Sequence, residues 1–379
     1  MAAENSGPYL YIRKRPCAGG EDDVVERLGP TCAIIQDPAR KPRRRPRVRL
    51  PAGATWWEAG VGNDQVGAAF APALERCAAG EGPGALWVAY GQTGSGKTHT
   101  LTGTGPDEGL LQRALRRLAP GVRFRAVQLH NESPTCLLSG RPVRMECLLA
   151  GAGDGSGAEV ALLSSPEDAR AALARVARRR EVGSTALNSR SSRAHTIYLC
   201  DLPGGSRAAF LDLAGNEKGR FSLAGDRAAR RECAAINQSL FALKECIRAL
   251  HRGGGAPRHV PFRRSKLTRF LQGLLDQRLA LHFVATIHPC TRCMHDCADT
   301  LRYASAVAAW SAPPPPATTV PSALYESYVM KLYRLVSRDA DLHRKHARQG
   351  RPPPRETVLA LLRDKLRFLQ ASSRVFAAG

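Results

Sequence analysis

Residues Gly91, Gln92, Thr93, Gly94, Ser95, Gly96, Lys97 and Thr98 fit the pattern G-x-x-x-x-G-K-[ST]. Glycines in such a run let successive backbone N–H groups turn inward toward phosphate oxygens. A lysine at this place reaches the β- and γ-phosphates as a point charge, and the hydroxyl after it can ligate magnesium. The loop needs a strand before it and a helix after it to hold its shape; the apolar run 85–90 reads as a buried strand, and a helix is expected to follow. A second group completes the chemistry. Asp212 ends the apolar run 208–211, where a carboxylate can hold a magnesium-bound water. These residue types together imply a nucleotide and Mg2+.

The elements that must position them are legible in outline. Residues 9–12 read as a short strand ending in a basic turn, and 281–287 as a buried strand. Helical spacing covers 109–118, 167–180, 236–250, 266–275 and 298–310, with Ile236, Leu240, Leu243, Ile247 and Leu250 forming one apolar face. Strands alternating with helices predict an α/β fold: a phosphate-loop NTPase with a central mixed, mostly parallel sheet and helices on both faces. Pro313 to Pro316 mark a domain end. The expected organisation is a domain over 8–312, a Pro-rich linker over 313–321 and a short helical tail over 322–379, interrupted by prolines at 352–354. The tail carries too few sustained heptads for a long coiled coil, so a monomer or weak dimer is expected.

The 379 residues, 43% of them hydrophobic, are ample for a core. No apolar run is long enough to cross a bilayer and no leader pattern opens the chain, so a soluble intracellular protein is expected. The formal charge is +23, from 56 Lys and Arg against 33 Asp and Glu. That excess suits nucleic acid, an acidic membrane or an acidic protein polymer, and charge does not rank them. No helicase-type motif or row of base-stacking aromatics is visible, which counts against nucleic acid.

Beyond the phosphate loop, the string Leu211-Asp212-Leu213-Ala214-Gly215-Asn216-Glu217 resembles the switch II motif of kinesins, and Asn188-Ser189-Arg190-Ser191-Ser192-Arg193-Ala194-His195 resembles their switch I motif. The strings Arg13-Lys14-Arg15-Pro16, Ile236-Asn237-Gln238-Ser239-Leu240, His259 to Thr268 and Leu301-Arg302-Tyr303-Ala304 resemble further kinesin motifs in the same order. The resemblance covers about 8–312. It implies ATP and Mg2+ as ligands, microtubule-stimulated ATP hydrolysis, and a place on the microtubule cytoskeleton, spindle or centrosome included.

The same resemblance assigns roles. Ser191 would orient the attacking water, Ser192 would ligate magnesium or the γ-phosphate alongside Thr98, and Gly215 would let a backbone N–H approach that phosphate. Arg193 and Glu217 would pair to close the site, with Glu217 passing on the water's proton. Arg13, Arg15, Pro16 and His99 would enclose the adenine. Lys244, Arg248, Arg263, Arg264, Lys266 and Arg269 would face the acidic microtubule. Asn216 and the string 242–250 resemble the kinesin-thirteen class, internal motors that depolymerise microtubule ends. Against that class, an Arg-Pro-rich run at 41–49 stands where its early loop carries a Lys-Val-Asp tip. Ala194 replaces the usual second switch I serine, which opens the alternative of a degenerate kinesin that binds microtubules with weak or no ATPase.

The run from His288 to Cys297 is dense in zinc-ligand types, with the spacing Cys-x-x-Cys-x-x-x-Cys. In the kinesin frame this is the loop between the last central strand and the closing helix, which needs no metal. Free thiols are expected there.

Overall fold

The computed structural model describes residues 9–17, 21–36, 46–51, 53–81, 84–145, 148, 157–181, 193–217, 227–251, 260–276 and 279–308. The expected linker and helical tail, and the first five residues of the 41–49 run, lie outside the described residues.

Long apolar runs supply the centre of the sheet. β1 (Tyr9–Lys14), β5 (Thr55–Trp57), β6 (Gly84–Tyr90), β9 (Val122–His130), β10 (Ser133–Cys136), β11 (Ala161–Leu163), β12 (His195–Asp201), β13 (Arg207–Asp212) and β14 (Ala280–Ile287) form it. Their order is β10-β9-β12-β13-β6-β14-β1-β5, with β11 also paired to β9. β6, β12, β13 and β14 are buried along nearly their whole length, as strands covered on both faces must be. The sheet is mixed as expected, but its pairings divide evenly instead of running mostly parallel. β6 pairs in parallel with β13 and β14, and β1 with β14 and β5. The pairs β10–β9, β11–β9, β12–β9 and β12–β13 are antiparallel. The loops that carry the site leave the C-terminal ends of the parallel strands β6, β13, β14 and β1, the end where open α/β sheets bind ligands.

Two groups of helices flank this sheet. α1 (Asn63–Ala78), α3 (Leu110–Leu118) and α4 (Pro166–Glu181) pack on one another, and α5 (Arg227–His251), α6 (Lys266–Asp276) and α7 (Met294–Ala308) form the second group. α3 is amphipathic, burying Leu110, Leu111, Ala114, Leu115 and Leu118 on one stripe. In α1 the buried Val66, Phe70, Ala73, Leu74 and Cys77 keep helical spacing despite Pro72. α2 (Lys97–Thr102) is a single short helix at the phosphate loop. Val48 of β4 (Arg47–Arg49) is buried in a small sheet with β2 (Val25–Arg27) and β3 (Cys32–Ile35), so the end of the basic run is a strand with outward-facing arginines. A final hairpin joins β7 (Gly103–Thr104) and β8 (Asp107–Glu108). Among the described residues no helix is long and apolar enough to cross a membrane.

Candidate nucleotide site

The phosphate loop runs from the buried end of β6 into α2, and Gly96 at its corner has φ +101°, a left-handed conformation that favours glycine. The loop curls tightly enough for Lys97 to reach back across it: Nζ donates to the carbonyls of Gly91 and Gln92, 2.9 Å each. Burial lowers the pKa of Lys97, while Asp212 and Glu217 pull in the other direction. Ser95 is tied to β14 by a 2.6 Å hydroxyl–hydroxyl bond to Thr286, and Gln92 Nε2 donates to the carbonyl of His288 at 3.3 Å.

Asp212 lies beside this loop at the end of β13. Its Oδ2 accepts from the Thr98 hydroxyl at 2.7 Å and from Arg180 Nη2 at 2.9 Å. Its Oδ1 is buried and has no hydrogen-bond partner among the described residues. An orphaned carboxylate oxygen next to a threonine hydroxyl is a donor set of hard oxygens, which fits magnesium. Sequence reasoning missed Arg180. It is buried on α4, and Nη1 also donates to the Tyr198 hydroxyl at 2.8 Å. Burial alone would lower its pKa, but Tyr198 and Asp212 outweigh it and hold the guanidinium firmly charged. A signal was present: Ala172, Val176 and Arg180 stand four residues apart on one buried stripe, whereas Arg178 and Arg179 are exposed.

The stretch after Asp212 connects the site to α5. His195 Nδ1 accepts the Ala214 N–H at 3.1 Å, so Nε2 carries the proton and donates to Ser239 Oγ at 2.8 Å. Ser239 Oγ then donates to the Ile236 carbonyl at 2.7 Å. Burial pushes His195 down to about 4, which fixes it neutral at ordinary pH. Asn216 Nδ2 donates to the hydroxyls of Tyr90 and Thr300, 3.0 Å each, joining the same stretch to β6 and α7.

Gly215 is crowded: a Cβ there would sit 2.3 Å from a Glu217 oxygen and 2.5 Å from Thr93 Oγ1. Glu217 folds over it onto the phosphate loop, one oxygen accepting the Thr93 N–H at 2.9 Å and the other the Thr93 hydroxyl. Among the described residues Glu217 is held on Thr93 and the expected Arg193–Glu217 pair is not seen. Arg193 instead lines a small recess with Asn131, Glu132, His195, Ile236 and Ser239. Ser191 and Ser192 lie outside the described residues.

A cleft of about 600 Å3 opens along the other side of the loop, lined by Arg13, Arg15, Pro16, Gly94, Ser95, Gly96, Thr98 and His99. Residues 59–62 complete its wall, and nothing in their types signalled this. Arg13 lines this cleft with a buried guanidinium whose N–H edge donates to Asn63 Oδ1 at 2.5 Å, Thr100 Oγ1 at 2.9 Å and the Val61 carbonyl at 3.1 Å, which braces the wall. Arg15 donates to the Gly94 carbonyl. His99 is half-exposed, held between Thr104 Oγ1 at 3.1 Å and Asp107 Oδ2 at 3.2 Å. Its pKa is lowered by burial and by Arg13, with Asp107 opposing.

Of the expected basic surface, Arg263, Arg264 and Arg269 are exposed. Lys266 is half-buried, its backbone N–H on Glu132 Oε2 at 2.6 Å. The ammonium of Lys244 stands 5.6 Å over the Tyr303 ring. The Arg248 side chain lies outside the described residues.

Comparison with known families matches residues 63–309 to the kinesin motor domain. Among curated proteins, the chain is 32% identical over 249 residues to "Kinesin-like protein KIF24" of Mus musculus, covering 60% of this chain and 18% of that protein. It is 35% identical over 257 residues to "Kinesin-like protein KIFC1" of Homo sapiens, covering 58% and 38%. "Kinesin-like protein KIN-10A" of Arabidopsis thaliana is 34% identical over 244 residues, 56% of this chain and 27% of that one. The chain thus spans well under half the length of these relatives. In fold it is similar to a solved structure described as a KIF14 dimer with AMP-PNP in complex with a microtubule, with a TM-score of 0.66 and 23% identity over 80% of this chain and 94% of that one.

Proposed function

Because this chain belongs to the kinesin motor-domain family, we propose that it binds ATP with magnesium and hydrolyses it in response to microtubules. The observation that carries the reading is Asp212, which shares one oxygen between Thr98 and Arg180 and leaves the other without a hydrogen-bond partner among the described residues, beside the phosphate loop. Magnesium, when bound, would neutralise phosphate charge. Thr98 and Asp212 would hold it, the latter through water, and Lys97 would leave its two loop carbonyls for phosphate oxygens. Ser192 would join them and Ser191 would orient the attacking water, both by resemblance alone. Glu217 would exchange Thr93 for Arg193 and accept the water's proton.

Arg263, Arg264 and Arg269 supply an exposed basic face for the acidic polymer, with Lys244, Arg248 and Lys266 beside it. Residence on the microtubule cytoskeleton follows from that binding, and the site lies within one chain, consistent with a monomer or weak dimer. Asn216 and the string 242–250 favour an internal, end-depolymerising motor; the relatives bear several different kinesin names and single out no class. Titration calorimetry with Mg·ATP tests the nucleotide reading. Binding by the wild type that needs magnesium, and loses that need in Thr98→Ala, supports it, whereas affinity indifferent to magnesium in both sinks it. A degenerate binder would retain the nucleotide and fail to turn it over, and Ala194 is the observation that favours this second reading.

A further inference from the structure

The loop after β14 gathers side chains that the nucleotide chemistry does not use. His288, Cys290 and Cys293 bring one nitrogen and two sulfurs within 4.8 Å of one another, the first two residues buried and the third half-buried. His288 Nδ1 faces Cys293 Sγ at 3.9 Å. His288 Nε2 faces the other way, 3.4 Å from Glu21 Oε2, an ion-pair distance without hydrogen-bond alignment. Glu21 is in turn held by Arg292.

We propose that His288, Cys290 and Cys293 form a zinc site, with His288 Nδ1 and two thiolates as protein ligands, solvent in the fourth position and Glu21 as the carboxylate that orients His288. Thiolate and imidazole donors select zinc over magnesium, which separates this site from the oxygen donors at Thr98 and Asp212. Zinc–sulfur bonds near 2.3 Å and zinc–nitrogen bonds near 2.1 Å would draw the three donors together by about 1 Å. The short 3-10 turn Thr291–Cys293 places that adjustment in side chains and one turn of backbone. A carboxylate on the far nitrogen of a ligating histidine fixes its tautomer and raises its basicity. Binding replaces two thiol protons, which leave to solvent, and no oxidant is needed. Cys297 is outside the set, since its thiol donates to the His288 carbonyl at 3.0 Å.

The position gives the site a consequence. Val24 donates its N–H to the Pro289 carbonyl at 2.7 Å, Asp23 bridges to Cys290, and Gln92 of the phosphate loop donates to the His288 carbonyl. A metal here would pin the segment before β2, the end of β14 and the start of α7 beneath the phosphate loop.

The test is a Co2+ titration of the full chain, reduced and stripped with chelator, without nucleotide. One equivalent should raise a thiolate-to-cobalt charge-transfer band that Zn2+ abolishes; cobalt on oxygen donors at the magnesium site gives no such band. Cys293→Ser should weaken binding at least tenfold and diminish the band. Glu21→Gln should weaken it about 10- to 100-fold with the band retained. Cys32→Ser, on β3, should change neither, and circular dichroism checks each fold. Absence of the band in the wild type overturns the proposal. So does a band and affinity unchanged in both Cys293→Ser and Glu21→Gln.

Discussion

Arg180 and Asp212 meet at 2.9 Å between α4 and the end of β13, both nearly excluded from water. The pair fixes the carboxylate that also accepts the Thr98 hydroxyl, so a helix remote in sequence sets the geometry of the proposed magnesium ligand. Arg180→Ala would leave Asp212 buried without its counter-charge, and a loss of about 3 kcal/mol in unfolding free energy is expected. Urea unfolding measures it. Arg180→Lys should recover part of that loss, and an unchanged midpoint in the alanine variant would show that the pair contributes nothing.

Lys97→Ala should abolish ATP turnover while leaving the circular dichroism spectrum intact. Among the described residues Lys97 Nζ donates to carbonyls of its own loop alone, so its removal would take away phosphate charge compensation without opening the core. Steady-state turnover equal to wild type would remove Lys97 from the site.

Glu217→Ala should retain nucleotide and lower turnover about 10²- to 10⁴-fold, the usual contribution of a positioned general base. Single-turnover kinetics separates the two steps. A variant that loses ATP affinity but hydrolyses whatever it binds at the normal rate would assign Glu217 to phosphate binding instead.

His195 makes stability depend on pH. Its native value of about 4 lies below the ordinary histidine value of 6.5, so between those limits the unfolded chain binds more protons than the folded one. Stability is therefore full above about pH 6.5 and falls as pH drops toward 4, by about 3 kcal/mol from this residue alone. His282, lowered to about 3 by burial, acts in the same direction. Urea midpoints at pH 7.5 and 5 should show the decline, and His195→Gln should shrink it; identical midpoints in the wild type would contradict the assignment of His195 as buried and neutral.

The parts of the site legible in the sequence were those whose chemistry demands a fixed local pattern: the phosphate loop, Asp212 at a strand end, and Gly215 where a Cβ has no room. Contacts between remote elements were not legible. Arg180 lay hidden among three consecutive arginines, and the bonds of Arg13 to Asn63 and Thr100 could not be read because those partners belong to other elements. Gly67 and Pro72 weaken the helix propensity of Asn63–Ala78, yet burial of Phe70 and Leu74 overrides it. The cysteines of 290–297 showed their spacing in sequence, but only the fold turned His288 toward Cys293 and Glu21.

Charge governs the proposed microtubule face. Arg263→Glu with Arg264→Glu should weaken co-sedimentation with microtubules by more than the corresponding alanines, since each reversal adds repulsion. Binding by the wild type should fall steeply with salt, because exposed charges are screened over about 10 Å at 0.1 M. Salt-independent binding would place the contact on apolar surface elsewhere.

The central claim is tested most directly by measuring phosphate release from Mg·ATP by the purified chain with and without stabilised microtubules. The account expects slow basal release that rises severalfold or more as microtubules are added, and none in Lys97→Ala. Nucleotide bound but no release at any microtubule concentration would contradict it.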